Sequence, residues 1–470
     1  MRMSNDGLQA GLGRMLMLLT FWLPASGALA ESFADQAPER LAEYLQIDTV
    51  NPPGNETRGV AFFARYLDAA GIRYETGESA PGRGNLWARL PANGGVSSPE
   101  PGLVLLNHID VVPANKEYWR TEPLGGEIRD GYILGRGALD MKGVGVAQFQ
   151  AFLALAASGK KRNRDVWFVA TADEEAGGAY GAGWLQREHP EIFENVGFLL
   201  NEGGGGTVLD GKPVFMVEVT QKVPFWFRLT AEDAPGHGSV PGVTTAVTRL
   251  LRAGARLADT AFPVRVVPAV QSMFGGLAPY VPETSRSAYA DIATAAQDEN
   301  FVRTLHATSR NHHALLRNTC AITRLQGSSK INVVPPVASL EVDCRLLPDQ
   351  DQAAFREQID TVVNDPNIRF EQILAFSPAV TPAQGPLFEA ITAVVNKHHR
   401  RAAIVPSVST GFTDSHFFRD QGIASYGFSG FLVPPEDFAG VHGNDERIAV
   451  DTLVNGTELL IDLVRRFATR

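Results

Sequence analysis

Cysteine is nearly missing from this sequence. Cys320 and Cys344 are the only two in 470 residues. No Cys-x-x-Cys spacing occurs, which excludes a cysteine zinc site. Positive charge is also in deficit: 42 Lys and Arg stand against 52 Asp and Glu, a formal net charge of -10. Such a balance leaves no basic footprint for nucleic acid. His-Glu-x-x-His is absent, which removes a helical zincin site, and the absence of Gly-x-Ser-x-Gly weakens a serine-hydrolase reading. The glycine-rich "NEGGGG" (201–206) is not followed by Gly-Lys-Ser/Thr, so it is no P-loop. Internal repeats and low-complexity tracts are missing as well.

Hydrophobic content of 44% with 20% charged residues is ordinary for a folded soluble chain. This length predicts two or three domains. Residues 1–30 read as a secretory signal peptide: Arg2 and Arg14 precede the apolar Met15–Leu23, and Ala28–Ala30 supplies small residues for cleavage. The apolar stretch is shorter than the roughly 20 residues of a membrane span, although a membrane anchor is the alternative. The expectation is an exported protein, periplasmic or secreted, with no membrane attachment after the signal is removed. Cys320 and Cys344 lie on strand-like runs that read as a hairpin, so they form either a disulfide or two buried thiols.

From Glu31 onward, helical patterns alternate with short apolar runs: "GLVLL" (102–106), "VWFVA" (166–170) and "VGFLL" (196–200). Runs of that length between helices predict buried parallel strands. After Val217 the pattern alternates instead, as in an antiparallel sheet, and Asn318–Leu346 reads as a strand hairpin. Beyond Pro348 the α/β character returns and ends in the helix "VDTLVNGTELLIDLVRRF" (450–467). The predicted fold class is therefore α/β: a catalytic domain with a mixed sheet flanked by helices, over 31–217 and 347–470. A smaller α+β lid or dimerisation domain, 218–346, interrupts it.

The ends of the three apolar runs carry the chemistry. They deliver Asn107-His108-Ile109-Asp110, then Asp173-Glu174-Glu175, then Asn201-Glu202; Asp140 in "GRGALDMKG" (135–143) opens a helix. Ligands of open α/β sheets bind at the carboxyl ends of parallel strands. Taken singly, a His-x-Asp at a strand end is usually a hydrogen bond and an acidic pair is usually solvated. Together at one sheet edge, crowded carboxylates beside a histidine need a cation, and N/O donors suit Zn²⁺ or related ions. The acidic donors exceed a single tetrahedral shell, which predicts two metal ions.

With these residues in hand the chain resembles the zinc exopeptidase family of aminoacylase, succinyl-diaminopimelate desuccinylase, glutamate carboxypeptidase and carboxypeptidase S. The motifs that carry the resemblance are "NHIDVVP" (107–113), "GRGALDMKG", "TADEEAGG" (171–178), "NEGG" (201–204), "GHGSVP" (236–241) and "GVHGNDERI" (440–448). It implies two ions bridged by Asp140, one completed by His108 and Glu202, the other by Glu175 and His442. Glu174 becomes the general base and acid, and Asp110 orients the His108 ring. A cis peptide between Asp140 and Met141 often accompanies this arrangement. The resemblance also implies that His237 stabilises the oxyanion, often from the partner subunit, and hence a homodimer through the inserted domain. The long stretch 261–317 is a candidate to cover that dimer surface.

For substrate binding the resemblance implies Arg345, Asn332, and Gly411 and Thr413 of the loop "TGFTDSHFF" (410–418), where Phe412 replaces the family's second glycine. Glu202 at its metal position favours carboxypeptidase or acylase activity. The implied function is hydrolysis of an amide next to a free amino-acid carboxylate, in a small peptide or an N-acyl amino acid. The ions implied are Zn²⁺, with Co²⁺ or Mn²⁺ as alternatives. The rival readings are an aminopeptidase-like dipeptidase of the same family and a non-catalytic metal- or solute-binding protein.

Overall fold

A computed structural model describes residues 32–94 and 100–469. The expected signal peptide lies outside them. The three apolar runs form Glu100–His108, Arg164–Thr171 and Val196–Asn201, with the first strand in the middle and parallel to both neighbours. They are the centre of a nine-stranded mixed sheet. Gly84–Leu90 and then Tyr74–Glu78 extend one side by antiparallel pairing. Ala424–Gly427, Lys212–Gln221 and Ala403–Ser409 extend the other, and Gly205–Leu209 pairs with Lys212–Gln221.

Helices cover this sheet because its strands are apolar on both faces. Lys142–Ala157 is apolar all round and buried from Lys142 to Leu155, between the sheet and the long helix Val450–Ala468. A helix buried on every side is the expected outcome of such a sequence. Each Phe or Leu it buries, such as Phe149, Phe152 and Leu155, contributes about 1.5–3 kcal/mol.

A second, four-stranded antiparallel sheet has the order Thr319–Gln326, Val337–Leu346, Val223–Glu232, Ile368–Ala375. Val337–Leu346 alternates in burial residue by residue, as a strand with one packed face must. Its cover is Ala246–Ala258, opened by a Thr245–Thr248 capping box, together with Gln352–Val363. Cys320 and Cys344 stand directly opposite each other and are joined as a disulfide.

The expected domain limits need correction at both ends. Lys212–Gln221 is buried on both faces rather than alternating, and it pairs in parallel with Ala403–Ser409, so the large sheet continues through Gln221 rather than ending at 217. Phe355, Ile359, Val363 and Phe376 pack into the core of the second sheet, so that layer continues well past Leu346. The helices within 261–317 bury Val270, Phe274 and Leu277 against Val214, Val405 and Val408 of the large sheet. Phe33–Arg470 is one compact unit in which both sheets take part.

Candidate metal centre

Adjacent parallel strands put their carboxyl ends on one edge. His108 ends the central strand, Thr171 its neighbour, and Glu202 directly follows Asn201 on the other side. After Thr171 the chain turns sharply: Asp173 has φ 71°, Glu174–Ala176 form one 3-10 turn, and Gly177 and Gly178 have φ 110° and 69°. A Cβ on Gly178 would collide with the Asp414 carboxylate, so this turn needs glycine for both space and backbone. Asp140 precedes the buried helix and is joined to Met141 by a cis peptide.

The side chains converge. His108 Nε2 lies 3.3 Å from Asp140 Oδ1, 3.5 Å from Glu202 Oε1 and 3.9 Å from Glu174 Oε2. His442 Nε2 lies 3.0 Å from Asp140 Oδ2 and 3.3 Å from Glu175 Oε2. Asp140 therefore faces both histidines, one with each oxygen. His108 Nε2 and Glu175 Oε1 are buried with no hydrogen-bond partner among the described residues. Such orphans are costly unless something else satisfies them. Nitrogen and carboxylate donors within reach of one another fit a divalent ion, in two groups: His108–Glu174–Glu202 and His108–Asp140–Glu175.

Asp110 fixes this arrangement from behind. Its main-chain carbonyl lies 2.9 Å from His108 Nδ1, leaving Nε2 to face the cluster. Its carboxylate accepts the backbone N–H of Glu174 and of Glu175, each at 3.1 Å, and Asn51 Nδ2 at 2.7 Å. One buried residue thus ties the histidine, through its main chain, to the acidic turn, through its carboxylate.

Burial pushes the Glu202 carboxyl up to about 8, with Asp140 adding to it, and raises Glu174 well above the carboxylate range, with Glu202 next. Hydrogen bonding to Asp140 and Glu175 pushes His442 up to about 10. For Asp140, burial acts upward, but His108 and His442 outweigh it and hold the group low. The cluster gathers protons to offset its own negative charge. A metal cation does the same by displacing them.

Asp173, the first acid of the run, belongs elsewhere. Its carboxylate takes Arg83 Nη2 at 2.9 Å and the Tyr180 N–H at 3.1 Å. Arg83 also holds Glu56 and Asn51. Asn51, Glu56 and Arg83 were not candidates from sequence; the only signal was an asparagine before two prolines. Asp414 was also missed. It is buried, accepts from Thr171 Oγ1 at 3.1 Å, and is pushed up to about 7 by burial.

The remaining candidates lie outside the cluster. His237 is exposed on the short strand Gly236–His237, with Nδ1 at 2.7 Å from Ser239 Oγ. Asn332 is exposed beside it, its carbonyl accepting the Gly238 N–H at 2.9 Å. Arg345 pairs with Asp343 at 2.7 Å, yet its Nη1 is buried without a partner. Gly411 is exposed, and its N–H donates to Ser409 Oγ at 3.2 Å. Thr413 is buried in the same loop. It is only 4% exposed, and its N–H and Oγ1 both bond Gln221 Oε1, so its side chain braces the loop.

The model of peptidase family M20/M25/M40 matches residues 104–466. The chain belongs to this family. Among M20-related proteins, the N-fatty-acyl-amino acid synthase/hydrolase of Mus musculus is 28% identical over 382 residues, covering 78% of this chain and 74% of that protein. Human aminoacylase-1 is 28% identical over 436 residues, covering 91% and 94%. An M20 family metallo-carboxypeptidase from Sulfolobus solfataricus shares the fold, with TM-score 0.70, 18% identity, and coverage of 91% of this chain and 99% of that one. The protein is accordingly an M20 hydrolase of the metallopeptidase and aminoacylase type, and its His/Asp/Glu cluster could hold metal ions.

Proposed function

We propose that this protein is a two-metal amidohydrolase that splits N-acyl amino acids, releasing the free amino acid. The observation that carries the reading is the convergence of His108, Asp140, Glu174, Glu175, Glu202 and His442, with His108 Nε2 and Glu175 Oε1 buried and unpartnered. His108 and Glu202 would hold one ion, Glu175 and His442 the other, and Asp140 both. The donors suit Zn²⁺, with Co²⁺ or Mn²⁺ as alternatives. When bound, such ions polarise a carbonyl and acidify water.

Glu174 takes a proton from the attacking water as its oxygen joins the amide carbon. It then gives that proton to the nitrogen as the C–N bond breaks, leaving a carboxylic acid and an amine. It is buried beside the cluster, with its backbone N–H held by Asp110, which positions one carboxylate to hold the proton between the two events. Arg345 Nη1 is the donor available for the substrate carboxylate. Phe412 lies 6.0 Å from Trp226 and 5.3 Å from Phe376, centroid to centroid, and offers an apolar wall next to Arg345. The similarity to an N-fatty-acyl-amino acid hydrolase and to aminoacylase-1 supports an apolar acyl amino acid over a free dipeptide.

Two further parts of the reading have separate support. Thr319–Gln326 is an edge strand with Ile322 39% and Leu325 57% exposed, which favours a homodimer through this sheet, with His237 reaching the partner's site. The Cys320–Cys344 disulfide agrees with the signal-like residues 1–30 in favouring export to a periplasm or beyond the cell. The test is a screen of metal-replete protein on N-acyl amino acids, free dipeptides and N-blocked dipeptides. Turnover of N-acyl amino acids that a chelator abolishes is expected. Preference for free dipeptides supports the aminopeptidase-like reading, and no turnover on any substrate supports a metal-binding protein without catalysis.

A further inference from the structure

The two histidines of the centre are held in different ways. His108 ends a strand at the middle of the large sheet and is buried. His442 sits on an irregular loop with φ 55°, a left-handed backbone uncommon outside glycine, and its side chain is 54% exposed. Something other than the sheet must fix it.

That something is a buried ion pair. Glu446 is fully buried, and its Oε2 accepts Arg136 Nη1 at 2.6 Å and the Gly137 N–H at 2.9 Å. Its Oε1 accepts the N–H of Leu139 at 2.8 Å and of Asp140 at 3.1 Å. Arg136, 2% exposed, reaches back to the carbonyls of Gly440 and Gly443, which bracket His442. The main chains close the same seam, since Gly135 N–H donates to the Glu446 carbonyl at 3.0 Å. The loop carrying Asp140 and the loop carrying His442 are thus clamped by one Arg–Glu pair that touches neither imidazole nor either of the two facing carboxylates.

We infer that the Arg136–Glu446 pair is a positioning latch that sets the occupancy of the His442–Glu175 ion site; the His108–Glu202 site shares Asp140 but has its other two ligands at the ends of sheet strands. The inference rests on the two-metal reading above. A fork that spans two carbonyls while holding a carboxylate needs the planar guanidinium, so lysine cannot replace Arg136. Residues that orient metal ligands without touching the metal typically alter affinity by about 10–100-fold.

The test is metal analysis after dialysis against defined free Zn²⁺, with no substrate present, on wild type, Glu446→Gln and Arg136→Lys. Wild type is expected to retain two ions per chain. Both variants are expected to retain one, with the second ion bound about 10–100-fold more weakly, and to regain it at high Zn²⁺. Glu175→Ala, which removes a candidate ligand, should lose the same ion but without recovery at high Zn²⁺. Circular dichroism and unfolding of the zinc-loaded variants separate a lost ion from a lost fold; Arg136→Lys keeps the charge should Glu446→Gln not fold. Two ions held with wild-type affinity by both folded variants overturn the latch. A wild type that binds fewer than two ions overturns the two-metal reading instead.

Discussion

Glu174→Gln distinguishes the two roles this acidic turn offers. Glu174 lies 3.9 Å from His108 Nε2 and can be grouped with His108 and Glu202 as a ligand, yet the proposed mechanism gives it the proton instead. The substitution is nearly isosteric at a site only 5% exposed, and its backbone N–H still reaches Asp110 Oδ1 at 3.1 Å. Packing should therefore be retained. Removing one negative charge from a crowd that contains Glu202 and Glu175 relieves repulsion, so the fold should not weaken. What disappears is the proton carrier, worth about 10²–10⁴ in rate. At about 1.36 kcal/mol per factor of ten this is roughly 3–5 kcal/mol of barrier. The assay is kcat on an N-acyl amino acid with excess Zn²⁺, alongside metal content per chain. A variant with full metal and kcat within tenfold of wild type removes Glu174 from proton transfer. A variant that has lost metal makes Glu174 a ligand and requires another base.

Three other consequences are open to direct measurement. Chelation should abolish activity and also lower stability, by about 2.7 kcal/mol for each ion lost relative to protein with free ion at 100 times Kd; denaturant midpoints with and without chelator check this. Arg345→Ala should raise KM roughly 10–100-fold for substrates bearing a free carboxylate, while carboxamide analogues should be unaffected. Replacing Cys320 and Cys344 by alanine opens a link across a sequence separation of 24, for an expected loss of about 3–4 kcal/mol in unfolding free energy; a denaturation midpoint unchanged from wild type refutes it.

The positions of His108, Glu174, Glu175 and Glu202 were legible because each parallel strand is written as a short apolar run that stops at a polar residue. The run tells where the strand ends, and the sheet rule tells which edge it reaches. The supporting residues were not legible in the same way. Arg136 and Glu446 lie 310 positions apart, and nothing in either local pattern marks them as a buried pair rather than two solvated charges. Asn51 and Arg83 share this anonymity. The layer boundaries were misread for a related reason. The run 214–221 marks a strand but not the sheet it joins, since it is buried on both faces, and the apolar stripe of Gln352–Val363 does not name its partner.

Charge pairing around the site gives the strongest physical reason to treat the cluster as functional. Burying a lone carboxylate is expensive, and this protein elsewhere avoids it. Glu56 and Asp173 share Arg83, Glu446 has Arg136, and Glu218 has Arg419 together with a backbone N–H. Asp110 has Asn51 and two backbone N–H groups. The carboxylates of Asp140, Glu174, Glu175 and Glu202 have no arginine or lysine among their described ion pairs, and the histidines beside them must be protonated to help. A sequence that supplies a guanidinium to Glu56, Asp173, Glu218 and Glu446 but none to these four has left room for a cation that is not part of the chain. A buried arginine here would neutralise the charge equally well, but it would also fill the space and remove the Lewis acid. The centre is therefore destabilising by itself, and it makes physical sense only as a place where ions and substrate complete the structure.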